Sequence, residues 1–439
     1  MTAEAAARRR PLVVLLVLLI FFVISLLTNV SGPLLPDIIG SFKLSLALAG
    51  FLPSSFFLAY LLSIPAGLLV ERQGEKPVLV ASFVLAFLGS FLFVLRPAYG
   101  VALFSLFTIG VGMAMLQVAI NPLLRVAGGE EHFAFFNVLA QLVFGAASFA
   151  SPYLYSYLVL NLGNPPPSPN ALVRALARVV PRSLPWISLY WIFTVVTLAM
   201  IVVLALVRLP RVERLAEERA GSLASHLALL RNPYVHLFFL GIVCYVGTEQ
   251  GLSNWMSEFL RRYHGLDPEV AGARAVARFW GFMTLGCAVG LVALRLWDAR
   301  RLLVASGSLC AITLGFALYG PAGVSTVAFP LTGLWASVMW GIVFALALNS
   351  VERHHGSFSG ILCTGIVGGA ILPPLIGRLG DLFGLRAGML VLFLTLAYVV
   401  GVGLWARPLV SNATIRSGGL RGDRTAGQPS RSGTSPGSS

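Results

Sequence analysis

Apolar stretches of about 20 residues recur along most of this 439-residue chain, separated by short polar intervals. A stretch of this length crosses the hydrocarbon core of a bilayer as an α-helix, whereas a strand of a membrane barrel needs only about 10 residues of alternating polarity. Within lipid the backbone must satisfy its own hydrogen bonds, which a continuous helix does. The pattern therefore predicts an all-α membrane protein.

Twelve such stretches can be placed, six on either side of one charged interval. With 57% hydrophobic and 11% charged residues, the composition excludes a soluble multidomain protein, whose domains need polar surfaces. Small residues run into proline in both FGAASFASPYL (144–154) and VGGAILPPLIG (367–377), as repeated halves would. We predict two pseudo-symmetric six-helix bundles, residues 1–208 and 233–407. The predicted spans are 12–36, 46–70, 77–95, 99–125, 134–160, 184–208, 233–260, 270–294, 302–319, 325–350, 357–379 and 386–407.

The charged intervals predict the remaining organisation. Residues 209–232 are charged and partly amphipathic, which indicates a cytoplasmic linker helix on the membrane surface. Residues 408–439 are rich in Gly, Ser and Arg and cannot bury a core, so we expect a disordered cytoplasmic tail. The bias of Lys and Arg between loops predicts cytoplasmic termini in the plasma (inner) membrane. It also explains the net charge of +14 without nucleic acid, because the basic residues form no stripe.

Glu249 lies near the middle of the apolar run from His236 to Leu260. No other residue from Leu237 to Ser257 carries a full charge. A charge at the bilayer centre costs at least about 2.5 to 3.5 kcal/mol on insertion scales, so such residues usually face a cavity and bind ions, protons or substrate. We therefore expect Glu249 to be an ion-coupling residue. The alternative is a protonated or hydrogen-bonded glutamate that only holds two helices together.

Helix geometry limits the neighbours of Glu249. At about 100° and 1.5 Å per residue, Tyr245 shares its face, while Glu258 lies on the opposite side and is expected at the rim. Gly247 and Gly251 flank the acid and would allow the helix to unwind, exposing carbonyls to a cation such as Na⁺. A proton is an equal candidate for the coupling ion.

The loop after the second span reads GLLVERQGEKPVL (67–79). It resembles the Gly-x-x-x-Asp-Arg-x-Gly-Arg-Lys loop of the major facilitator superfamily, with Glu71 in the Asp position and Glu75 where that superfamily favours Arg. There the loop is a gate whose charges pair across the cytoplasmic side; an ordinary solvated turn is the alternative. The resemblance implies a cytoplasmic gate made of Gly67, Glu71, Arg72, Gly74 and Lys76.

A narrower resemblance covers most of the twelve-span region. It is to the fucose–proton symporter family, which includes glucose and galactose transporters, and CYVGTEQGLSNWMSEFLRRY (244–263) is its most distinctive stretch. The other matching stretches are NVSGPLLPDIIGSFKLSLALAG (29–50), QVAINPLL (117–124), NVLAQ (137–141) and GIVGGAILPPLIGRLGD (365–381).

In that family a Tyr-Val-Gly followed by a polar pair and a Trp often marks the central cavity. The resemblance therefore implicates Tyr245, Gln250, Asn254 and Trp255 beside Glu249 as substrate-binding residues. Amides at membrane depth hydrogen-bond hydroxylated ligands, although some of them join helices instead. The amides that we expect to bind substrate are Asn29, Gln117, Asn121, Asn137 and Gln141.

The chain also departs from the sugar–proton symporters of this family. A first-helix carboxylate corresponds here to Gly32, and a fourth-helix coupling glutamate corresponds to Gln117. An eighth-helix arginine corresponds to Cys287, and a sugar-binding fifth-helix asparagine aligns roughly with Phe144. The usual proton pathway is therefore absent, and Glu249 is the remaining candidate for coupling.

The leading interpretation is a secondary active transporter of a small organic solute, expected to be a hexose, coupled to H⁺ or Na⁺ through Glu249. It would work by alternating access of the two bundles. A drug or metabolite exporter is less favoured, because FASPYLYS (149–156) lacks the Gly-Pro and paired glycines typical of the fifth helix of proton antiporters. An uncoupled facilitator is the interpretation if Glu249 is inert.

Enzymatic chemistry has no visible residues in the chain. There is no His-Glu-x-x-His, Gly-x-Ser-x-Gly or pair of intramembrane carboxylates, and the four cysteines have no metal-ligand or redox spacing. We therefore expect no cofactor apart from the coupling ion. The expected partners are a small solute and the lipid bilayer, with the protein acting as a monomer.

Overall fold

The computed structural model describes residues 3–128, 133–207, 209, 229–351 and 355–407. These residues form helices and turns without a strand, and twelve helical spans are long and apolar enough to cross a membrane. The predicted all-α class and number of spans are confirmed. The predicted tail, and all of the predicted linker except residues 209 and 229–232, lie outside the described residues.

The twelve spans are named α1 to α12 in chain order. The N bundle is α1 to α6 and the C bundle is α7 to α12. Their bounds are Pro11–Phe42, Leu46–Gln73, Glu75–Leu95, Tyr99–Ile120, Val138–Gly163 and Pro185–Leu206 in the N bundle, and Pro233–His264, Pro268–Leu296, Ala299–Tyr319, Ala322–Leu348, Phe358–Phe383 and Leu385–Trp405 in the C bundle.

Helix α7, which carries Glu249, is a single unbroken helix of 32 residues. It begins where the Asn232 side chain accepts a hydrogen bond from the Tyr234 N–H (3.0 Å). It ends at Gly265, whose φ of 64° lies in the left-handed region that glycine adopts without a Cβ penalty. The predicted unwinding at Gly247 and Gly251 is therefore wrong for this conformation.

Those two glycines serve helix packing instead. A Cβ on Gly247 would meet Leu372 of α11 at 2.5 Å, and one on Gly251 would meet Leu392 of α12 at 2.8 Å. Small residues let membrane helices approach closely, and the neighbouring side chains take the space of the missing Cβ. The backbone carbonyls around Glu249 consequently stay within the helix.

Irregular backbone occurs near the middle of four other spans, including α10, where a turn at Ser337 and Val338 separates Ala322–Ala336 from Met339–Leu348. In α1 a turn at Asn29 and Val30 separates Ala3–Thr28 from Ser31–Phe42, and a 3₁₀ turn occupies Ala59–Leu62 of α2. Each precedes a proline, Pro33 or Pro65, whose ring clashes with the carbonyl four residues earlier. Helix α11 has a 3₁₀ turn at Gly365–Val367.

The two bundles meet along three helix pairs: α2 with α11, α5 with α8, and α1 with α7. Helices α2 and α11 run antiparallel and touch most closely where α2 begins and α11 ends. There a Cβ on Gly50 would lie 2.5 Å from Pro374, and the Ser54 hydroxyl donates to the Ala370 carbonyl (2.5 Å). We call this region, residues 46–54 of α2 and 370–381 of α11, the closed end.

At the opposite end of α2 the glycines make no comparably close approach to any described residue of the C bundle. A Cβ on Gly67 would meet only Val118 of its own bundle, at 3.7 Å, and one on Gly74 would meet nothing within 4 Å. We call this region, residues 67–76, the gate end. Small residues therefore bring the bundles into contact at one end of the α2–α11 pair.

Candidate functional site

Glu249 differs in exposure from its neighbours on α7. Every residue from Gly241 to Leu260 is buried except Glu249, which is partly exposed. Over this stretch, no other residue of α7 reaches a surface of the protein. The one carboxylate in the middle of α7 is therefore also the one accessible group there.

Both carboxylate oxygens of Glu249 accept hydrogen bonds from neutral donors. The Tyr245 hydroxyl donates to Oε2 at 2.6 Å, and the Gln250 amide donates to Oε1 at 3.0 Å. The Gln250 carbonyl oxygen in turn accepts from the Asn254 amide at 3.2 Å. Tyr245 lies one turn before the acid, as helix geometry predicts. Four side chains thus form one polar row along α7.

No cationic side chain pairs with Glu249 within the described part of the chain. The exposed Cys287 of α8 lies within electrostatic range of it, and the ring of Trp340 from α10 lies 6.1 Å from that of Tyr245. Glu249 therefore depends on hydrogen bonds rather than on a counter-ion.

The predicted Na⁺ site has few oxygen ligands in this conformation and stays a prediction. Hard cations need several oxygen ligands, often with backbone carbonyls among them. The carbonyls of α7 remain within its unbroken helix, and the Gln250 carbonyl oxygen already accepts from Asn254. No group of three or more His, Cys, Asp or Glu that could hold a metal occurs among the described residues. A proton needs only the carboxylate.

The sequence model of the Major Facilitator Superfamily matches residues 17–366, which is most of the chain. This chain belongs to the Major Facilitator Superfamily.

Curated relatives within the superfamily are transporters. A glucose/galactose transporter of Brucella abortus is 30% identical over 392 residues, which cover 86% of this chain and 90% of that protein. The L-fucose-proton symporter of Escherichia coli is 24% identical over 383 residues, covering 82% and 85%. The chain is therefore a multi-pass membrane transporter and not an enzyme, and the predicted family resemblance is confirmed.

Solved structures share the fold. A crystal structure of the E. coli fucose:proton symporter aligns with a TM-score of 0.63 at 20% identity, covering 90% of this chain and 98% of that one. A bacterial homologue of the human lysosomal transporter Spinster, inward-facing and unoccupied, aligns with a TM-score of 0.74 at 16% identity, covering 90% and 96%. Both likenesses confirm the two-bundle architecture.

Five predicted substrate-binding residues are buried in this conformation: Tyr245, Gln250 and Asn254 of the polar row, and Trp255 and Asn29, which bond to neighbouring helices. The Trp255 indole is fully buried and donates to the Pro373 carbonyl of α11 at 3.1 Å, so it presents no ring face to a ligand. Asn29 is buried, and its amide donates to the Ser148 hydroxyl of α5 at 2.8 Å. Both side chains join helices here.

The remaining predicted amides lie on α4 and α5. Gln117 is partly exposed and donates to the Tyr60 hydroxyl of α2 at 3.0 Å, and Gln141 is exposed. Asn121 and Asn137 lie on the helices Tyr99–Gly128 and Phe133–Gly163, and their side chains are outside the described residues. Substrate binding by this group stays a prediction.

The gate-end loop turns at a glycine with a positive φ. Gly74 has a φ of 83° and separates α2 from α3, while Glu71 and Arg72 are exposed. The Lys76 ammonium donates to the carbonyls of Ala205 (3.1 Å) and Val207 (2.7 Å) at the end of α6. A cation there stabilises the helix C-terminus, and both of these contacts of Lys76 lie within the N bundle.

Gly32 is a contact between the bundles. A Cβ on it would lie 2.1 Å from the Ser253 carbonyl oxygen of α7. Gly32 therefore has no room for a side chain in this conformation. The close approach of α1 to α7 is visible only in the folded protein.

Glu258 is not a rim residue as predicted. Its side chain is fully buried and accepts from Arg261 Nη2 at 2.7 Å and from Arg262 Nε at 2.5 Å. The two arginines follow three and four residues later, so they reach back over one helical turn and supply the charges that make burial tolerable.

Glu258→Gln is expected to destabilise the protein, because both arginines lose a charged acceptor. Hydrogen bonds to charged groups contribute roughly 1.5 to 3 kcal/mol each. We expect a clear drop in the thermal unfolding midpoint in detergent. Glu269→Gln, at a partly exposed position in the first turn of α8, is the control and should not lower the midpoint. Equal midpoints for the two variants would contradict this role of Glu258.

Proposed function

We propose that this superfamily member is a sugar–proton symporter that moves a hexose by alternating access, with Glu249 as the proton-coupling residue. The observation that carries the proposal is the single accessible carboxylate in an otherwise buried stretch of α7. Support for a sugar comes from the names of the relatives, a glucose/galactose transporter and an L-fucose-proton symporter.

Proton binding suits the surroundings of Glu249. An ionised carboxylate is costly within the membrane, and protonation removes that cost. Tyr245 and Gln250 orient the carboxylate without neutralising it. Binding of a proton therefore converts a negatively charged site into a neutral one. A salt-bridged glutamate would resist protonation, because its partner cation favours the ionised form. If sugar favours the protonated form, reciprocity requires that the proton favours sugar binding by the same factor.

The polar row beside Glu249 is the proposed start of the sugar site. Its exposed or partly exposed neighbours include Cys287 of α8 and Trp340 of α10. Hydroxyl groups of a sugar pair with amides and carboxylates, and an aromatic ring stacks on its apolar face. We propose that Gln117 and Gln141 complete the site from the N bundle.

The proposal is tested by uptake of labelled glucose, galactose and fucose into proteoliposomes. An inward proton gradient is expected to drive accumulation above equilibrium, and a Na⁺ gradient at equal pH is expected to have no effect. Accumulation that follows Na⁺ alone would replace the proposed ion. Equilibration without accumulation under both gradients would indicate an uncoupled facilitator, and proton-driven efflux only would indicate an exporter.

We propose that both termini face the cytoplasm of the plasma membrane and that the protein works as a monomer. In this orientation α1 ends on the outside at Phe42, and the closed end faces outward. The structure would then be an outward-closed conformation. Reporter fusions that are active on only one side of the membrane, placed at each terminus in turn, test the orientation; external activity of either fusion would reverse it.

A further inference from the structure

The end of α11 repeats the spacing of the gate-end loop. Residues 377–386 read GRLGDLFGLR, and residues 67–76 read GLLVERQGEK. Both follow Gly-x-x-x-acid-x-x-Gly-x-base. The second glycine separates two helices in each copy, with φ 83° and ψ 171° at Gly74 and φ 89° and ψ 149° at Gly384. The similar positive-φ backbone shows that the two copies share a conformation as well as a spacing.

The two copies lie at opposite ends of one antiparallel helix pair. The first copy ends α2 and lies at the gate end, and the second ends α11 and lies at the closed end. Because α2 and α11 are antiparallel and belong to different bundles, the end of each helix lies beside the start of the other.

At the closed end the acid of the motif holds the two bundles together. Asp381 Oδ1 accepts from the Leu46 N–H at 2.8 Å, and Oδ2 accepts from the Ala47 N–H at 2.9 Å. These amides are in the first turn of α2, where N–H groups have no partner within the helix. A carboxylate there is further favoured by the positive end of the helix dipole. A side chain of the C bundle thus caps a helix of the N bundle.

The first glycine of each copy decides whether such a cap can form. A Cβ on Gly377 would lie 2.2 Å from the Leu46 carbonyl oxygen, so the missing side chain is what lets α11 reach the start of α2. The equivalent Gly67 has only Val118, 3.7 Å away in its own bundle. One glycine of the pair is engaged across the bundles and the other is not.

We propose that Asp381 is the latch that keeps the closed end shut, and that the Asp381 cap on α2 must break before this end opens to substrate. This inference rests on alternating access of the two bundles, and it holds whichever solute or ion is carried. The cap is suited to such a step, because Asp381 is exposed and water can replace the lost hydrogen bonds. The latch therefore weakens without leaving a buried unpaired charge.

Distance measurement between spin labels tests the latch directly. Labels attached at Gly40→Cys of α1 and Leu382→Cys of α11, both exposed at this end, report its opening. The four native cysteines are first replaced by serine, and the thermal unfolding midpoint of that background is compared with that of the parent. Loss of two hydrogen bonds to a charged group in Asp381→Ala is expected to raise the ratio of open to closed molecules about tenfold.

A matched control separates the latch from ordinary helix capping. Asp298 accepts from the Arg300 N–H at 2.9 Å at the start of α9, entirely within the C bundle. Asp298→Ala removes a similar cap and is expected to leave the label distances unchanged. Asp381→Asn retains a single acceptor oxygen and should give an intermediate ratio, which also serves if the alanine variant does not fold.

The proposal is overturned if Asp381→Ala and Asp381→Asn show the distance distribution of the parent, or if Asp298→Ala opens the same end equally. The readout requires no transported solute. A shift in label distances without hexose uptake would support the latch while rejecting the proposed sugar function, so the two failures are distinguishable.

Discussion

Glu249→Gln is expected to abolish gradient-driven accumulation of sugar while counterflow exchange continues. Glutamine has nearly the same size and keeps one acceptor oxygen, but it cannot take up a proton. The variant should therefore resemble a permanently neutral site, which still alternates with sugar bound but no longer links that movement to the pH gradient. Initial uptake with and without the gradient, and exchange between equal internal and external sugar, measure the two activities.

Glu269→Gln is the matched control for this experiment. It makes the same chemical change at a partly exposed position in the first turn of α8, outside the polar row of α7. We expect normal accumulation in this control. Unchanged accumulation in Glu249→Gln would return Glu249 to the alternative interpretation, in which it only holds helices together. Loss of exchange together with accumulation would point to binding and not to coupling.

Gly32→Ala is expected to slow transport at least about tenfold, although alanine is the better helix former by about 1 kcal/mol. The added Cβ would lie 2.1 Å from the Ser253 carbonyl oxygen and 3.1 Å from Val276 Cγ2. Backbone cannot yield as a flexible side chain does, so α1 and α7 must move apart and the closed end cannot seal. Uptake rates, and the distance between the labels at positions 40 and 382, report both effects.

Gly40→Ala is the control within the same helical segment, Ser31–Phe42. A Cβ at Gly40 would meet nothing within 4 Å, so this variant is expected to transport normally and to be slightly more stable. Gly32→Asp should fail like Gly32→Ala, because its side chain begins with the same Cβ. Normal uptake by Gly32→Ala would show that the α1–α7 contact is dispensable for the cycle.

Neighbouring residues in sequence account for part of the site. Tyr245 bonds to Glu249 because residues four apart on a helix share a face, and that spacing alone predicts the contact. The same spacing argument predicts that Arg261 and Arg262, which follow within one turn, can pair with a buried Glu258. The prediction of a rim position for Glu258 rests instead on its place near a helix end, which does not require exposure.

Other features required residues far apart in the chain. Gly247 and Gly251 look like points of flexibility until Leu372 and Leu392 fill the space beside them. Trp255 looks like a platform for a sugar until the Pro373 carbonyl accepts its indole N–H. In each case the partner comes from α11 or α12, more than 100 residues away, and local pattern carries no information about it.

Apolar length, helical spacing and motif residues are local properties, and they were enough to predict the all-α class, the twelve spans, the superfamily and the carboxylate in the middle of α7. The folded protein alone reveals which end of the bundles is closed, which glycines allow that contact and which acid caps the facing helix. These features depend on a close approach of different bundles, at which a Cβ added to Gly32, Gly50 or Gly377 would lie 2.1 to 2.5 Å from the facing helix, and on the hydrogen bonds of 2.8 and 2.9 Å that Asp381 accepts. Such distances arise when α2 packs on α11 and α1 on α7, and no stretch of sequence specifies them alone.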